Sequence, residues 1–362
     1  MAGEAASRGA GPGSPRRAAA HAPGRVNLIG EHTDYNLGLA LPFAIAEGVV
    51  VRAEANDPRS ESAQRIYAHA RDLDELDEFE LAEISPAEGW RAFVRGAAAE
   101  LQRAGVPLVG ARLEIGGDLE RGAGLSSSAA LEVALCLALS ELASSASLDR
   151  IALARLCARV ENDWVGAQTG MLDQLASLYG ATDTAVCIDF RALEIEPVPL
   201  RLGGWRFVVV DSGERHANAS SGYNERRAQC ERACEQLGVD SLRDADAAGV
   251  AGLPQPLRAR AEHVLGENER VGETVAALRA EDLPAVGALL DASHASLRDL
   301  YEVSTPTVER AVGRLREDGA AGARLMGGGF GGSVLGLFAP DVPVPPGARE
   351  VRPGPGAHLL VD

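Results

Sequence analysis

The spacing of hydrophobic and polar positions changes along this chain, and each spacing predicts an element. Residues 39–45 and 48–53 form short apolar or alternating blocks punctuated by glycine and proline, a strand pattern, as do residues 111–115. Residues 92–104 carry apolar side chains at helical intervals. Residues 127–142 are apolar almost all round, which predicts a buried helix. A further helix is expected over 148–164 and a shorter one over 173–179. The run WRFVVVD at 205–211 reads as a buried strand, and Leu202-Gly203-Gly204 before it as a domain boundary. Helical spacing then dominates over 224–236, 257–280, 283–300 and 307–318. A strand, glycine loop and strand follow over 322–338, and a last strand over 358–361. Residues 1–18 are small and aperiodic and read as a flexible lead-in. Strands and helices mix without regular alternation, so the expected class is α+β. The expected domains are 19–202 and 203–362.

Length agrees with two domains, because 362 residues exceed the ~250–300 that one core normally holds. At 46% hydrophobic and 24% charged, the chain has the balance of a water-soluble globular protein. A formal charge of −17 argues against nucleic-acid and anionic-membrane partners, whose phosphates it would repel. No apolar run reaches the ~18–20 residues that span a bilayer, and the N-terminus lacks a signal-peptide core. The five cysteines are an odd number without CxxC pairs, so reduced thiols and a cytoplasmic address are expected. A monomeric chain is expected as well. Cys230 and Cys234 sit four apart, a helix-face spacing, and no His or Cys partners stand at ligand spacing around them.

One absence changes the picture more. The chain has no lysine, so all 35 basic residues are arginine. That excludes a GxxxxGK[ST] phosphate loop, a Schiff base and a kinase strand lysine. Any nucleotide chemistry rests on backbone amides, arginine and a metal ion.

Three clusters carry candidate chemistry. The segment APGRVNLIGEHTDYN at 22–36 gathers Arg25, Glu31, His32 and Asp34 around two glycines on an expected loop. Such a mixture of donors and acceptors suits a polyol, although a solvated loop capped by Asp34 has the same composition. The segment GAGLSSS at 122–128 runs straight into the apolar helix. Free amides and the positive end of a helix dipole make that an anion site, and one serine would suffice for a cap. The segment LMGGGFGGS at 325–333 has five glycines in six positions, enough for a tight hairpin or a close backbone approach. Between them, Glu161 and Asp173 form a carboxylate pair twelve residues apart, suited to metal binding and proton handling. Asp173 also fits a helix cap.

In this order the clusters resemble the galactokinase family, within the GHMP kinases that also include homoserine, mevalonate and phosphomevalonate kinases. The first motif matches nearly residue for residue. GWRAFVRGAA, ENDWVGAQTGMLDQLAS, SGYNERRAQC, HVLGENER and LRDLYEVSTPTVER extend the match over roughly residues 18–340. The resemblance implies a two-domain GHMP-kinase fold with the active site in the interdomain cleft. It implies ATP-dependent phosphorylation of the anomeric hydroxyl of galactose, with Mg2+. By position, Asp173 matches the catalytic carboxylate and Arg25 its charge-stabilising partner. Glu31, His32, Thr33 and Asp34, joined by Gly170 and Tyr223, match the sugar contacts. Gly122, Ala123, Gly124, Leu125, Ser126, Ser127 and Ser128 match the phosphate cradle, and Ser128 and Glu161 the metal ligands. Thr169 stands where many relatives have cysteine and Leu172 where many have methionine, which reads as altered packing. Rival readings are another anomeric sugar kinase, for a uronic acid, arabinose or N-acetylhexosamine, and a non-catalytic galactose sensor. The complete serine loop argues against the sensor.

Overall fold

A strand made largely of alanine opens the fold, in the computed structural model that describes residues 15–119, 124–144, 148–214 and 219–361. Chain order begins β1 (Arg17–Asn27), β2 (Leu39–Ala40), β3 (Pro42–Ala55), β4 (Arg65–Ala70), β5 (Glu75–Glu80), α1 (Trp90–Arg103) and β6 (Ala111–Gly117). It continues through α2 (Ser127–Leu142), α3 (Arg150–Arg159), a π-helical turn (Val160–Val165), α4 (Leu172–Tyr179), β7 (Thr184–Asp189) and β8 (Glu194–Pro199). The second half holds β9 (Arg206–Asp211), α5 (Ala219–Leu237), α6 (Ala247–Ala251), α7 (Leu257–Arg279), α8 (Leu283–Asp299) and α9 (Pro306–Glu317). It ends with β10 (Gly322–Met326), β11 (Ser333–Phe338), β12 (Arg349–Val351) and β13 (His358–Leu359).

Three sheets organise these elements. The largest has the order β13-β1-β3-β6-β4-β5, the second β10-β11-β9-β12, and a small one β2-β7-β8. All neighbours are antiparallel except β4 and β6, which run parallel with α1 between them in sequence. One core packs the large sheet against α1, α2, α3 and α4. Another lies between the two halves, where Val26, Leu28 and Phe43 meet Phe207, Val209 and Leu335. A third packs the second sheet against α7 and α9. The α+β class and the division into two halves are as expected.

Several details differ, each for a physical reason. The lead-in was expected to reach residue 18, yet β1 starts at Arg17 and carries the first part of the expected loop; residues 1–14 lie outside the described residues. Alanine has no strand signal of its own. Ala18, Ala20 and Ala22 are buried in the core with α2, whose close approach needs small side chains. The blocks 39–45 and 48–53 become β2 and one long β3. The helix expected over 148–164 changes to a π turn after Arg159, a geometry frequent at functional sites. Strands β4, β5, β7, β8 and β12 were not anticipated.

The tail corrects the second domain's limits. β13 pairs with β1, Gly354 N donates to Ala44 O at 2.7 Å, and Ala357 N to Ser177 O at 2.7 Å. The last residues of the expected 203–362 unit therefore complete the N-terminal sheet.

Candidate active site

The site forms where the end of β1, the start of α2, the π turn and the start of α4 converge. β1 and the serine loop touch through backbone. Arg25 N donates to Leu125 O at 3.1 Å, and a Cβ on Gly24 would stand 2.6 Å from that same oxygen. Glycine at 24 is thus what lets strand and loop meet.

Arg25, a strand residue and not a loop residue, points its buried guanidinium across this junction. Its Nε donates to Asp173 Oδ1 at 2.7 Å and Nη2 to Oδ2 at 3.0 Å, a two-point pair, while Nη1 donates to Gly124 O at 2.8 Å. Ser126 Oγ donates to Asp173 Oδ2. Neither alternative capping role holds. Ser126, the residue before α2, makes no capping bond, and the residue before α4 is Met171, also without one. Both hydroxyl and carboxylate are directed to the site.

Beside them, Ser128 Oγ donates to Glu161 Oε1 at 2.8 Å. Thr169 Oγ1 and Gln174 Nε2 donate to Glu161 Oε2 at 2.7 and 3.0 Å. Thr169, expected only to alter packing, is a polar support for this carboxylate. Burial raises the Glu161 carboxyl above its ordinary range. Among the described residues no group of three or more His, Cys, Asp and Glu side chains could hold a metal ion. A cation here would depend on few protein ligands, as magnesium among phosphates does, and a hydroxyl and a carboxylate are the hard oxygen donors it prefers.

A polar cavity of about 190 Å³ opens next to Asp173, lined by Arg25, Glu31, His32, Asp34, Glu161, Gly170 and Tyr223 among others. This is well under the ~300–1,000 Å³ of pockets for drug-sized ligands, a scale for one small polar molecule. Glu31 Oε1 accepts from Gly327 N at 2.7 Å and lies 3.2 Å from Arg324 Nη2. Burial raises its carboxyl, against the pull of Arg324 and Arg25. Asp34 is pushed up to about 6 by burial, with Asp173 and Glu31 adding to the effect. A Cβ on Gly170 would collide with the Asp34 carboxylate, so a side chain there would displace Asp34. His32 holds a backbone φ of 61°, unusual for a bulky residue, and burial lowers its ring to about 3, which keeps it neutral. Thr33, also expected as a sugar contact, is not among the residues that line this cavity. Its hydroxyl is fully buried against Gly30 O and Leu39 O, at 2.9 and 2.7 Å, where it braces the loop.

Gly124, Leu125, Ser126, Ser127 and Ser128 lie together at the head of α2; Gly122 and Ala123 fall outside the described residues. Ser127 and Ser128 also line a larger, mostly apolar cavity of about 620 Å³, walled by Trp90, Phe93, Leu119 and Leu131. Sequence reasoning missed this cavity, because its walls come from α1, α2 and the strands β3 to β6, and no single motif spans them. It also missed Glu267 on α7, whose Oε1 accepts from Gly30 N at 3.0 Å and Glu31 N at 3.4 Å. The segment HVLGENER held that residue without showing what it touches.

A carboxylate, an arginine and a helix-head glycine–serine loop between a polar and an apolar cavity are the parts of a small-molecule phosphotransferase. Family comparison agrees: the GHMP kinases N terminal domain matches residues 92–181 and the GHMP kinases C terminal domain residues 274–352. The class is therefore that of the GHMP kinases. The galactokinase galactose-binding signature matches residues 12–54. A galactokinase of Mycobacterium tuberculosis is 44% identical over 328 residues, 88% of each chain, and one of Thermotoga petrophila is 42% identical over 315 residues, 87% of each. The crystal structure of Lactococcus lactis galactokinase complexed with galactose superposes with a TM-score of 0.88 at 31% identity, covering 95% of both chains. The chain belongs to the galactokinase family, and it is an ATP-dependent sugar kinase.

Proposed function

We infer that the chain transfers the γ-phosphoryl group of ATP to the anomeric hydroxyl of D-galactose, giving galactose 1-phosphate and ADP. The observation that carries this reading is the position of Asp173. Held by Arg25 and Ser126, it lies between the polar cavity and the serine loop.

Galactose occupies the polar cavity, where Glu31, Asp34, His32 and Tyr223 meet its hydroxyls. The nucleoside occupies the apolar cavity beside Trp90, so that its phosphates run over the head of α2, where free amides and the helix dipole receive them. Asp173 accepts the anomeric proton as that oxygen bonds to the γ-phosphorus and the bond to the ADP oxygen breaks. An anomeric hydroxyl is more acidic than an ordinary alcohol, so a carboxylate is base enough. Arg25, permanently charged, holds Asp173 in place and faces the charge on the transferred group, the role a lysine cannot fill in a chain that has none. Ser128 and Glu161 would hold magnesium, which when bound neutralises charge on the triphosphate.

The test is a coupled ADP-release assay across sugars. Galactose is expected to exceed glucose in kcat/KM by about 100-fold or more, since polar groups arranged for an axial C4 hydroxyl are left unpaired by an equatorial one. Equal rates on both sugars, or a preference for a uronic acid or an N-acetylhexosamine, would overturn the assignment.

A further inference from the structure

His32 lines the polar cavity with one ring nitrogen engaged and the other not. Nδ1 lies 2.8 Å from the Tyr35 hydroxyl, whereas Nε2 is buried and has no partner at full hydrogen-bond geometry among the described residues, with the Gly328 backbone beside the ring. The Tyr35 hydroxyl lies 2.9 Å from that of Tyr301, which lies 3.1 Å from the Cys230 thiol. Tyr301 is 0% and Cys230 1% exposed, so this row of groups ends in the protein interior and not in bulk water. None of these contacts was visible in the sequence, where Cys230 read as one face of a helix.

Such a row has two proton orders. In one, the Cys230 thiol donates to Tyr301, Tyr301 to Tyr35, and Tyr35 to His32 Nδ1. The neutral ring then carries its own proton on Nε2. In the other, His32 donates from Nδ1 to Tyr35, Tyr35 to Tyr301, and Tyr301 to the Cys230 sulfur, while Nε2 is bare. The chemistry of the groups separates the two. A phenol is a better donor than a neutral imidazole N–H, an imidazole nitrogen is a better acceptor than a phenol oxygen, and a thiol is a weak acceptor. The first order matches the strong donor to the strong acceptor and leaves the sulfur as donor only.

We propose that Tyr35, backed by Tyr301, fixes His32 in the tautomer protonated on Nε2, so that the ring offers a donor to a sugar hydroxyl. Tyr35 is thereby a positioning residue for the substrate, acting through His32. Donors are few in the cavity, the Tyr223 hydroxyl among them. Glu31, Asp34 and Asp173 all line it as carboxyl groups, and Arg25 is already committed to Asp173 and Gly124. A hydroxyl that gives its proton to a carboxylate still has lone pairs to be met. Ring contacts support the arrangement, with His32 centred 4.6 Å from Tyr301 and 5.9 Å, edge-on, from Tyr35. The inference rests on the reading that this cavity takes the sugar.

The test begins without sugar. Two-bond ¹⁵N–¹H correlation spectra of histidine-labelled protein near neutral pH report the tautomer, the His32 signals being those lost in His32→Gln. The expected result is Nε2 protonated and Nδ1 bare. In Tyr35→Phe, which keeps the ring and removes the hydroxyl, the His32 signals should move toward the other tautomer. KM for galactose should rise about tenfold, as when a buried acceptor loses its partner, with kcat and the KM for ATP nearly unchanged. A wild-type ring protonated on Nδ1 overturns the proposal, and so does a Tyr35→Phe spectrum identical to wild type. Should Tyr35→Phe not fold, the wild-type spectrum alone decides between the two proton orders. A wild-type protein inactive on galactose would instead remove the sugar reading and leave the tautomer result standing.

Discussion

Asparagine at 173 would keep the shape of aspartate and lose its charge and its capacity to take a proton. Asp173→Asn is therefore expected to lower kcat about 100-fold or more, the scale of general-base contributions, with galactose affinity by calorimetry changing far less. Near wild-type turnover in a variant that binds galactose normally would take Asp173 out of the mechanism. Asp34 supplies the pH dependence. Its carboxyl in the free protein is pushed up to about 6, chiefly by burial, and the ionised form is the better acceptor for sugar hydroxyls. As pH falls through about 6 that form is lost, so kcat/KM for galactose, which reports free-enzyme groups, should fall in the same range. The inflection should be missing from the residual activity of Asp34→Asn. A wild-type profile flat across that range would contradict the assignment. At this scale the motifs were legible in the sequence, while the use of each side chain was not: Ser126 meets a carboxylate and caps nothing, and Thr33 braces a loop.

Helix α2 was predicted with the bounds Ser127–Leu142 that the structure shows, because an element apolar on every side announces its own burial. Inside it stands Glu132, fully buried, with Oε2 accepting from Gln174 Nε2 at 3.2 Å and Oε1 without a partner among the described residues. Burial, with Glu161 nearby, raises its carboxyl well above the usual range. A carboxyl raised on folding contributes stability that is present at low pH and lost as pH rises through its folded value. Glu132→Gln removes that loss. Melting temperatures of the variant should gain on wild type as pH goes from about 5 to about 8. Melting curves that stay parallel in pH would show that Glu132 takes no part in this dependence.

Across the whole molecule, a buried ionic network ties the halves together. Arg324 of β10 is fully buried, donates to Asn27 O and Leu28 O at 3.0 Å each, and lies 3.2 Å from Glu31. Glu267 of α7 accepts from Arg270 Nε at 2.8 Å and from Ser293 Oγ at 2.7 Å while it holds the backbone at Gly30. Burial works against its charge, yet His263, Arg270 and Arg324 bring its carboxyl down to about 2. Arg324→Leu would take from the buried Glu31 carboxyl its ion-pair partner. The expected cost is about 3–5 kcal/mol in urea unfolding, the scale for breaking one side of a buried pair. A loss under about 1 kcal/mol would place the pair with ordinary surface bridges.

The sequence by itself determined what local chemistry dictates. Glycine and serine loops, a helix with no polar side and the order of the motifs need only neighbouring residues to be read, and they carried the α+β class, the kinase family and the candidate site residues. Tertiary structure alone decided which groups meet. Ser126 and Asp173 are 47 residues apart, Arg25 and Asp173 are 148 apart, and Tyr35 and Tyr301 are 266 apart. No periodicity encodes such pairings; sheet order and helix packing bring them about. The same holds for β1, whose alanines show no strand preference until α2 covers them, and for the tail, whose last strand finds its only described partner in β1, near the other end of the chain. Local propensity fixed the elements it favours strongly, and burial against distant segments fixed the rest.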